Sequence, residues 1–262
     1  MSVFSNSLLG GNLAAITILE TDNFNNDKLL KKVATTIGLS EVSFINFDNS
    51  SCSIRWFSPK VEVDLCGHGT IGACSILFQR YGLFKDNFYL IKSKQYDLFG
   101  KACSHNRVQI KIPIIKIENN FEANLDEIIE ASLIESSSFT DVDCIVRVKN
   151  LEVLKSVSIN FNKLLLLNKR GLIVTCLSED RKDLLYRYFC PRLGFNEDPG
   201  TGSALSSLYL FWEHEIDFNK RVNFYQESSR RSKGLVFKDK IGQNLIIDTE
   251  VSAYFTRRLE ID

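Results

Sequence analysis

The chain has 262 residues, 44 % of them hydrophobic, and Lys+Arg and Asp+Glu are balanced at 32 each. That is enough apolar material for a real core, in one large domain or two small ones. Zero net charge argues against a nucleic-acid or membrane-surface partner, no apolar run approaches the ~20 residues that span a bilayer, and the start, MSVFSNSLLGG, lacks the basic and long apolar regions of a signal peptide.

Asn12 to Leu19 reads as a short apolar strand after Gly10-Gly11. In Asp27 to Ile37, apolar residues at 29, 30, 33, 34 and 37 recur at helical spacing, and Gly38 follows as a stop. Val42 to Phe47 and Ser53 to Phe57 are strands, the second ended by Ser58-Pro59. Glu41 therefore stands at a helix-to-strand junction, where a side chain is held firmly yet open to a cleft; an exposed loop carboxylate is the plainer account of the same position. A Gly-rich turn, DLCGHGTIGACSILF from Asp64, feeds a helix over Thr70 to Arg80 that ends near Gly82. Strands follow at Phe88 to Lys92 and Val108 to Ile115, and Pro113 with Glu118-Asn119-Asn120 marks a linker.

Beyond the linker, Leu125 to Ser132 reads as a short helix, Cys144 to Val148 as a strand, and Leu151 to Leu154 with Phe161 to Leu167 as containing a helix. Gly171 to Leu177 and Leu184 to Phe189 are buried strands. They deliver the chain to a second Gly-rich stretch, NEDPGTGSALSSLY from Asn196, with Pro199 placed for a first helical turn. Arg221 to Gln226, Gly234 to Lys238 and Asn244 to Asp248 form a last antiparallel set, and the tail from Val251 to Leu259 is free to return to the first half. Gly69-Thr70 and Gly200-Thr201 are 131 residues apart, half the chain, which reads as two similar halves. Strands dominate, without strict strand-helix alternation, so the expected class is α+β in two units, 1–115 and 116–250, with a cleft between them.

Each Gly-rich turn offers free N–H groups and the positive end of a helix dipole to an anion. Gly67, Gly69, Thr70, Gly200, Thr201 and Gly202 are the candidate substrate-binding residues of these turns. A small carboxylate clamped there would stand beside Glu41, His68, Asp198 and Ser203, a set suited to moving a proton at carbon. Burial would raise the basicity of a carboxylate base, and N–H groups would stabilise the developing charge. Each residue also has a structural account. His68 caps its helix, Asp198 complements the dipole, and Ser203 bonds its own backbone.

The literal G-x-G-x-x-G at Gly67 to Gly72 has Lys92 and no acid about 20 residues on, so no dinucleotide is expected. Neither turn carries a P-loop Lys-Ser/Thr. Seven cysteines without C-x-x-C spacing fit reduced thiols in a cytoplasm, and three scattered histidines give no metal motif.

These residues resemble the family named for phenazine-biosynthesis protein F, within the diaminopimelate-epimerase-like superfamily. Gly11-Asn12 with Ala14-Ala15 is similar to its first segment, and Leu39-Ser40-Glu41 with Phe44 to its L-S-E-T-x-F. Phe57, Pro59, Glu62, Cys66-Gly67-His68 and Thr70 resemble F-x-P-x-x-E-x-x-x-C-G-H-A-T. Arg187, Phe189, Pro191, Gly194 and Glu197-Asp198-Pro199 with Thr201 to Ala204 resemble R-x-F-x-P through E-D-P-A-T-G-S-A. The resemblance implies two similar domains, each a curled, mostly antiparallel sheet around a central helix, with the site between them. It implies a cofactor-independent isomerase and commonly a homodimer. Glu41 would be the acid/base, assisted by His68, Asp198 and Ser203, with Asn12 beside the substrate.

Gly69 and Gly200 stand where the family has Ala, and Arg230-Arg231-Ser232 blurs a later Gly-Arg-Pro segment. Related racemases use two facing thiols; here Cys66 matches the first, and Asp198-Pro199 stands in place of the second. A two-cysteine racemase is therefore not expected. The rival from another class is a ligand-binding or regulatory protein that keeps the clamp without turnover.

Overall fold

Local signals and local structure agree where the signal is strongest. Asn26 caps the helix Asp27–Ile37 through Leu29 N, and Gly38 ends it in the left-handed region at φ 68°. Gly82 ends Gly67–Tyr81 in the same way at φ 69°. The computed structural model describes residues 1–48, 51–85, 87–118, 123–252 and 254–256. The first-half strands are β1 Ser2–Val3, β2 Asn12–Leu13, β3 Ala15–Ile18, β4 Val42–Phe47, β5 Cys52–Phe57, β6 Glu62–Val63, β7 Tyr89–Lys92, β8 Asp97–Ser104 and β9 Arg107–Pro113. The second-half strands are β10 Ser136–Phe139, β11 Asp143–Arg147, β12 Gly171–Leu177, β13 Leu184–Phe189, β14 Glu197–Asp198, β15 Val222–Gln226, β16 Ser232–Lys238 and β17 Asn244–Glu250. The α-helices are α1 Thr21–Phe24, α2 Asp27–Ile37, α3 Gly67–Tyr81, α4 Leu151–Ser156, α5 Phe161–Leu164 and α6 Ala204–Trp212.

The strands β3 to β17 form one mixed 15-stranded sheet, and β1 pairs separately with β2. Its pairing types recur. Parallel β3–β4, antiparallel β4–β5 and parallel β5–β7 are matched by parallel β11–β12, antiparallel β12–β13 and parallel β13–β15. Antiparallel hairpins finish both runs, and β9 joins β17 in an antiparallel seam from Arg107↔Glu250 to Pro113↔Asn244. Helix α3 packs on β3 and β4 and also on β8 and β9, so the first arc of strands curls around it.

The inner faces make one apolar cluster containing Ile71 and Leu77 of α3 and Leu205, Leu208 and Trp212 of α6. Each such side chain, fully buried, is worth roughly 1.5–3 kcal/mol. Separate outer clusters lie under α1 and α2 and under α4 and α5.

The repeat is written in ion pairs as well. Arg55 holds Glu62 through Nε and Nη2 at 2.7 and 3.0 Å, and Arg187 holds Glu197 identically at 2.8 and 2.9 Å. Each guanidinium also covers a phenylalanine two residues on, Phe57 at 5.1 Å and Phe189 at 4.8 Å. The parent segments are Arg-Trp-Phe-Ser-Pro and Arg-Tyr-Phe-Cys-Pro.

Several expectations shift. The helix over Leu125 to Ser132 is two 3-10 turns, Leu125–Glu127 and Ala131–Leu133, because Glu130 at ψ 121° breaks the helical run. Strands β8 and β10 lack a clear alternating apolar signal, and sequence reasoning missed both. The helix expected within Leu151 to Leu167 is two short ones, α4 and α5, each started by an asparagine cap, Asn150 and Asn160. Val251 bridges Val3 and Ser252 N bonds Ser2 O at 2.9 Å, so the tail does reach the first half. Asn119, Asn120 and the tail from residue 257 lie outside the described residues.

Candidate active site

Helix α3 starts where Cys66 closes its N-terminus. Sγ accepts from Gly69 N at 3.3 Å, and the Cys66 carbonyl takes Thr70 N at 3.1 Å and Thr70 Oγ1 at 2.7 Å. Helix α6 starts later than expected, at Ala204, and Pro199 lies outside it. The reason is Gln226: its Nε2 donates to Asp198 O and its Oε1 accepts from Thr201 N, both at 2.5 Å. That brace holds Asp198 to Thr201 as an extended corner, and the chain turns only afterwards, through Ala204 N to Thr201 O at 3.2 Å.

The two turns meet on backbone. A Cβ on Gly67 would lie 3.1 Å from Gly202 Cα and 3.3 Å from Ser203 N. Glycine is therefore required there for close approach. Among the described residues, the N–H groups of Gly67, His68, Gly202 and Ser203 donate to no protein acceptor. Orphan donors at adjoining helix starts are an anion site. The residues in contact, Gly67 and Gly202, are not the pair matched in the sequence, Gly69 and Gly200.

Glu41, His68, Asp198 and Ser203 all line one small cavity of about 20 Å³, room for a single water. Glu41 is 8 % exposed, and its Oε2 lies 3.6 Å from His68 Nε2 with no hydrogen-bond partner among the described residues. Burial first, then the charge of Asp198, pushes the Glu41 carboxyl up to about 8. Asp198 is pushed by burial to about 6, against the pull of bonds from Thr201 Oγ1 and Asn12. Asn12 Nδ2 donates to Asp198 Oδ1 at 2.8 Å and Gly200 O at 3.0 Å, and faces His68 Nδ1 at 3.3 Å. Two acceptors fix the amide's orientation, so Nδ1 faces an amide nitrogen on one side and Cys66 Sγ at 3.4 Å on the other; the tautomer with its proton on Nε2, toward Glu41 and Ser40 Oγ at 3.5 Å, avoids a donor–donor contact with the amide. Burial lowers His68 to about 4, so the ring is neutral at pH 7. Burial thus favours a protonated Glu41 and a neutral His68, with Asp198 the more acidic of the two carboxyls.

Of the residues expected to bind substrate, Gly67, Thr201 and Gly202 line the cavity and the others do not. Asn12 stands behind Asp198 and His68, and Thr70 spends its hydroxyl on its own helix. A Cβ on Gly69 would collide with Ser43 Oγ and come within 2.9 and 3.0 Å of Trp56 and Cys66; on Gly200 it would collide with Ser232 Oγ and come within 3.0 Å of Asn12 and Phe4. These neighbours occupy the space of the family's alanine methyls. Arg230 donates to the carbonyls of Leu8, Gly10 and Gly11 at 2.6, 3.0 and 2.8 Å, and so holds the segment that carries Asn12.

Sequence reasoning missed Arg170 and Tyr188, which line the same cavity, and the bracing Gln226. Arg170 directly precedes a strand, as Glu41 does, and that shared position was its available signal. Glu41, Cys66 and His68 offer three donor atoms within 4.8 Å of one another, a set that suits a thiophilic cation. Burial raises the Cys66 thiol well above its usual value, so such an ion would have to displace protons from both Cys66 and Glu41.

Residues 1–240 match the family model described as phenazine biosynthesis-like protein. The chain belongs to that family. Among curated relatives of this phenazine biosynthesis-like chain, an uncharacterized isomerase of Halalkalibacterium halodurans is 30 % identical over 88 % of this chain and 86 % of its own. An uncharacterized isomerase of Pseudomonas aeruginosa is 29 % identical over 100 % of this chain and 97 % of its own. A solved phenazine biosynthesis protein of the PhzF family from Enterococcus faecalis superposes with a TM-score of 0.79 at 25 % identity, covering 95 % and 93 % of the two chains. The large mixed sheet with few helices is thus the architecture of this phenazine biosynthesis-like family. Among the described residues no helix is long and apolar enough to cross a membrane.

Proposed function

We propose that this protein is a cofactor-independent isomerase that moves a proton at carbon in a small carboxylate-bearing metabolite. The observation that carries the reading is the Oε2 of buried Glu41, unpartnered among the described residues, beside His68 and the four N–H groups of the paired helix starts, which likewise donate to no described acceptor. The isomerase names of relatives spanning nearly the whole chain support the reaction class.

In this reading the substrate carboxylate sits on the N–H groups of Gly67, His68, Gly202 and Ser203, with the Ser203 hydroxyl orienting it. Ionised Glu41 takes a proton from carbon, and the electron pair left behind delocalises into the adjoining unsaturated group. The proton on Glu41 exchanges with solvent, and the carboxyl then delivers a proton to a second carbon. Atoms and charge balance, and no redox partner enters. A carboxyl near 8 is well placed for both halves, being neither a spent base nor a reluctant acid at working pH. His68 Nε2–H steadies the Glu41 carboxylate, and Asp198 takes part in proton traffic. A cavity of about 20 Å³ admits no metabolite, so the two repeats, 1–115 and 116–250, act as domains that part to load the site.

The test is solvent deuterium. Turnover in D₂O by the wild type should place deuterium at the reacting carbon, and Glu41→Gln should fold normally and place none. Full exchange by Glu41→Gln removes the assignment. A wild type that binds carboxylates and exchanges nothing is a binding protein.

A further inference from the structure

The repeat sets a cation against Glu41. Aligned through Arg55 to Pro59 and Arg187 to Pro191, Val42 and Leu172 hold the same place, since each pairs with the phenylalanine of its own segment, Phe57 or Phe189. Glu41 precedes Val42, and its counterpart is Gly171. A Cβ on Gly171 would lie 2.7 Å from both Cζ and Oη of Tyr188, so the second half has no room for a side chain at this position. Arg170, one residue earlier, takes over. It lines the same cavity as Glu41, with its side chain 18 % exposed.

The guanidinium is engaged on one edge only. Nη2 donates to Asp143 Oδ2 at 2.7 Å, and Nε reaches Asp143 Oδ1 at 3.2 Å and Tyr188 Oη at 2.7 Å. Asp143 is fully buried and is itself fixed by Tyr188 Oη and Ser207 Oγ at 2.7 and 2.9 Å. Among the described residues, Nη1 donates to no protein acceptor. A fork fixed in plane on one side and open on the other is built to receive a planar oxyanion.

We propose that the open edge of Arg170 receives a second anionic group of the substrate, so that this site takes dicarboxylates: one carboxylate on the paired helix starts, the other on Arg170. This rests on the carboxylate clamp of the proposed function and extends it to a substrate class. Arg170 is then a specificity residue, facing the proton-transferring side of the cavity from the opposite half.

The experiment is calorimetric binding of unbranched dicarboxylates, malonate to glutarate, against monocarboxylates of equal length. At least one dicarboxylate should bind the wild type ten-fold or more tightly than its monocarboxylate partner. Arg170→Gln alone strands a buried Asp143 and endangers folding, so the paired Arg170→Gln/Asp143→Asn protein is measured with it. The paired variant should keep monocarboxylate affinity and lose the preference. Wild-type indifference between the two series overturns the inference, and so does a preference that survives in the paired variant. If no carboxylate of either series binds, the clamp itself is wrong, and both readings go.

Discussion

His68 Nε2 stands 3.6 Å from Glu41 Oε2, an oxygen with no hydrogen-bond partner among the described residues. Because the imidazole is neutral and donates from Nε2, it can stabilise the ionised acid without claiming its proton. If ionised Glu41 is the base, kcat/KM should rise with pH and level off above about 8. His68→Asn should lower kcat by roughly 10²-fold or more, measured by product formation with the fold checked by circular dichroism. A rate flat from pH 6 to 9 would remove Glu41 from the rate equation.

Stability should carry the same signature. The Glu41 pKa rises from 4.5 to about 8 on folding, so between these values the folded chain holds a proton that the unfolded chain has released. This contribution is fully present below the unfolded value and is lost as pH rises through the folded one. Buried cysteines add a loss of the same sign toward pH 9, but they do so in wild type and Glu41→Gln alike. The wild type should therefore lose about 1 kcal/mol relative to the variant between pH 7 and 8.5. Urea unfolding of both proteins at the two pH values reads it.

Gln226 ends β15 and ties it to the corner of Asp198 and Thr201. It is fully buried and closes both backbone groups of the corner that presents Asp198 and Thr201. Gln226→Ala leaves a buried N–H and a buried C=O without partners, a cost of about 2–4 kcal/mol. The melting temperature should fall, and kcat should fall further than a stability loss alone explains, because Asp198 loses its fixed position. An unchanged kcat in the folded variant would reduce Gln226 to packing.

Much of the frame was legible. Apolar spacing and Gly38 gave helix α2 to the residue, and the apolar run of Val42 to Phe47 gave β4, because the helix buries one face and the strand is buried along most of its length. The settings of Glu41, His68, Asp198 and Ser203 put them beside the clamp with a plainer structural account for each, the resemblance supplied their expected roles, and the structure sets all four on one cavity. Gln226 and Arg170 were not legible, since each acts across a long sequence gap, Gln226 on Thr201 and Arg170 on Asp143. The repeat was legible to within a residue. Two Gly-Thr pairs suggested an offset of 131, and the twin Arg-aromatic-Phe-x-Pro segments give 187 − 55 = 132. Which glycines touch was not legible, because contact across a cleft joins Gly67 to Gly202 and equivalent positions need not meet.

Thiol chemistry separates this site from a two-cysteine racemase. Cys103 is exposed and the other six cysteines are buried. Iodoacetamide at neutral pH should label Cys103 alone in the folded protein, with turnover unchanged. Burial holds the Cys66 thiol well above its usual value, so it should stay unmodified and Cys66→Ala should retain most activity. Peptide mapping checks the first point; inactivation that tracks labelling of Cys66 would revive the thiol mechanism.

Gly67 and Gly202 touch through main chain, with no rotamer between them. In the proposed opening of the two halves, the return stroke halts against a doorstop made of atoms that cannot rearrange. The resting separation of acid and acceptor is then machined into the backbone, and surface drift elsewhere in the sequence leaves that tolerance untouched.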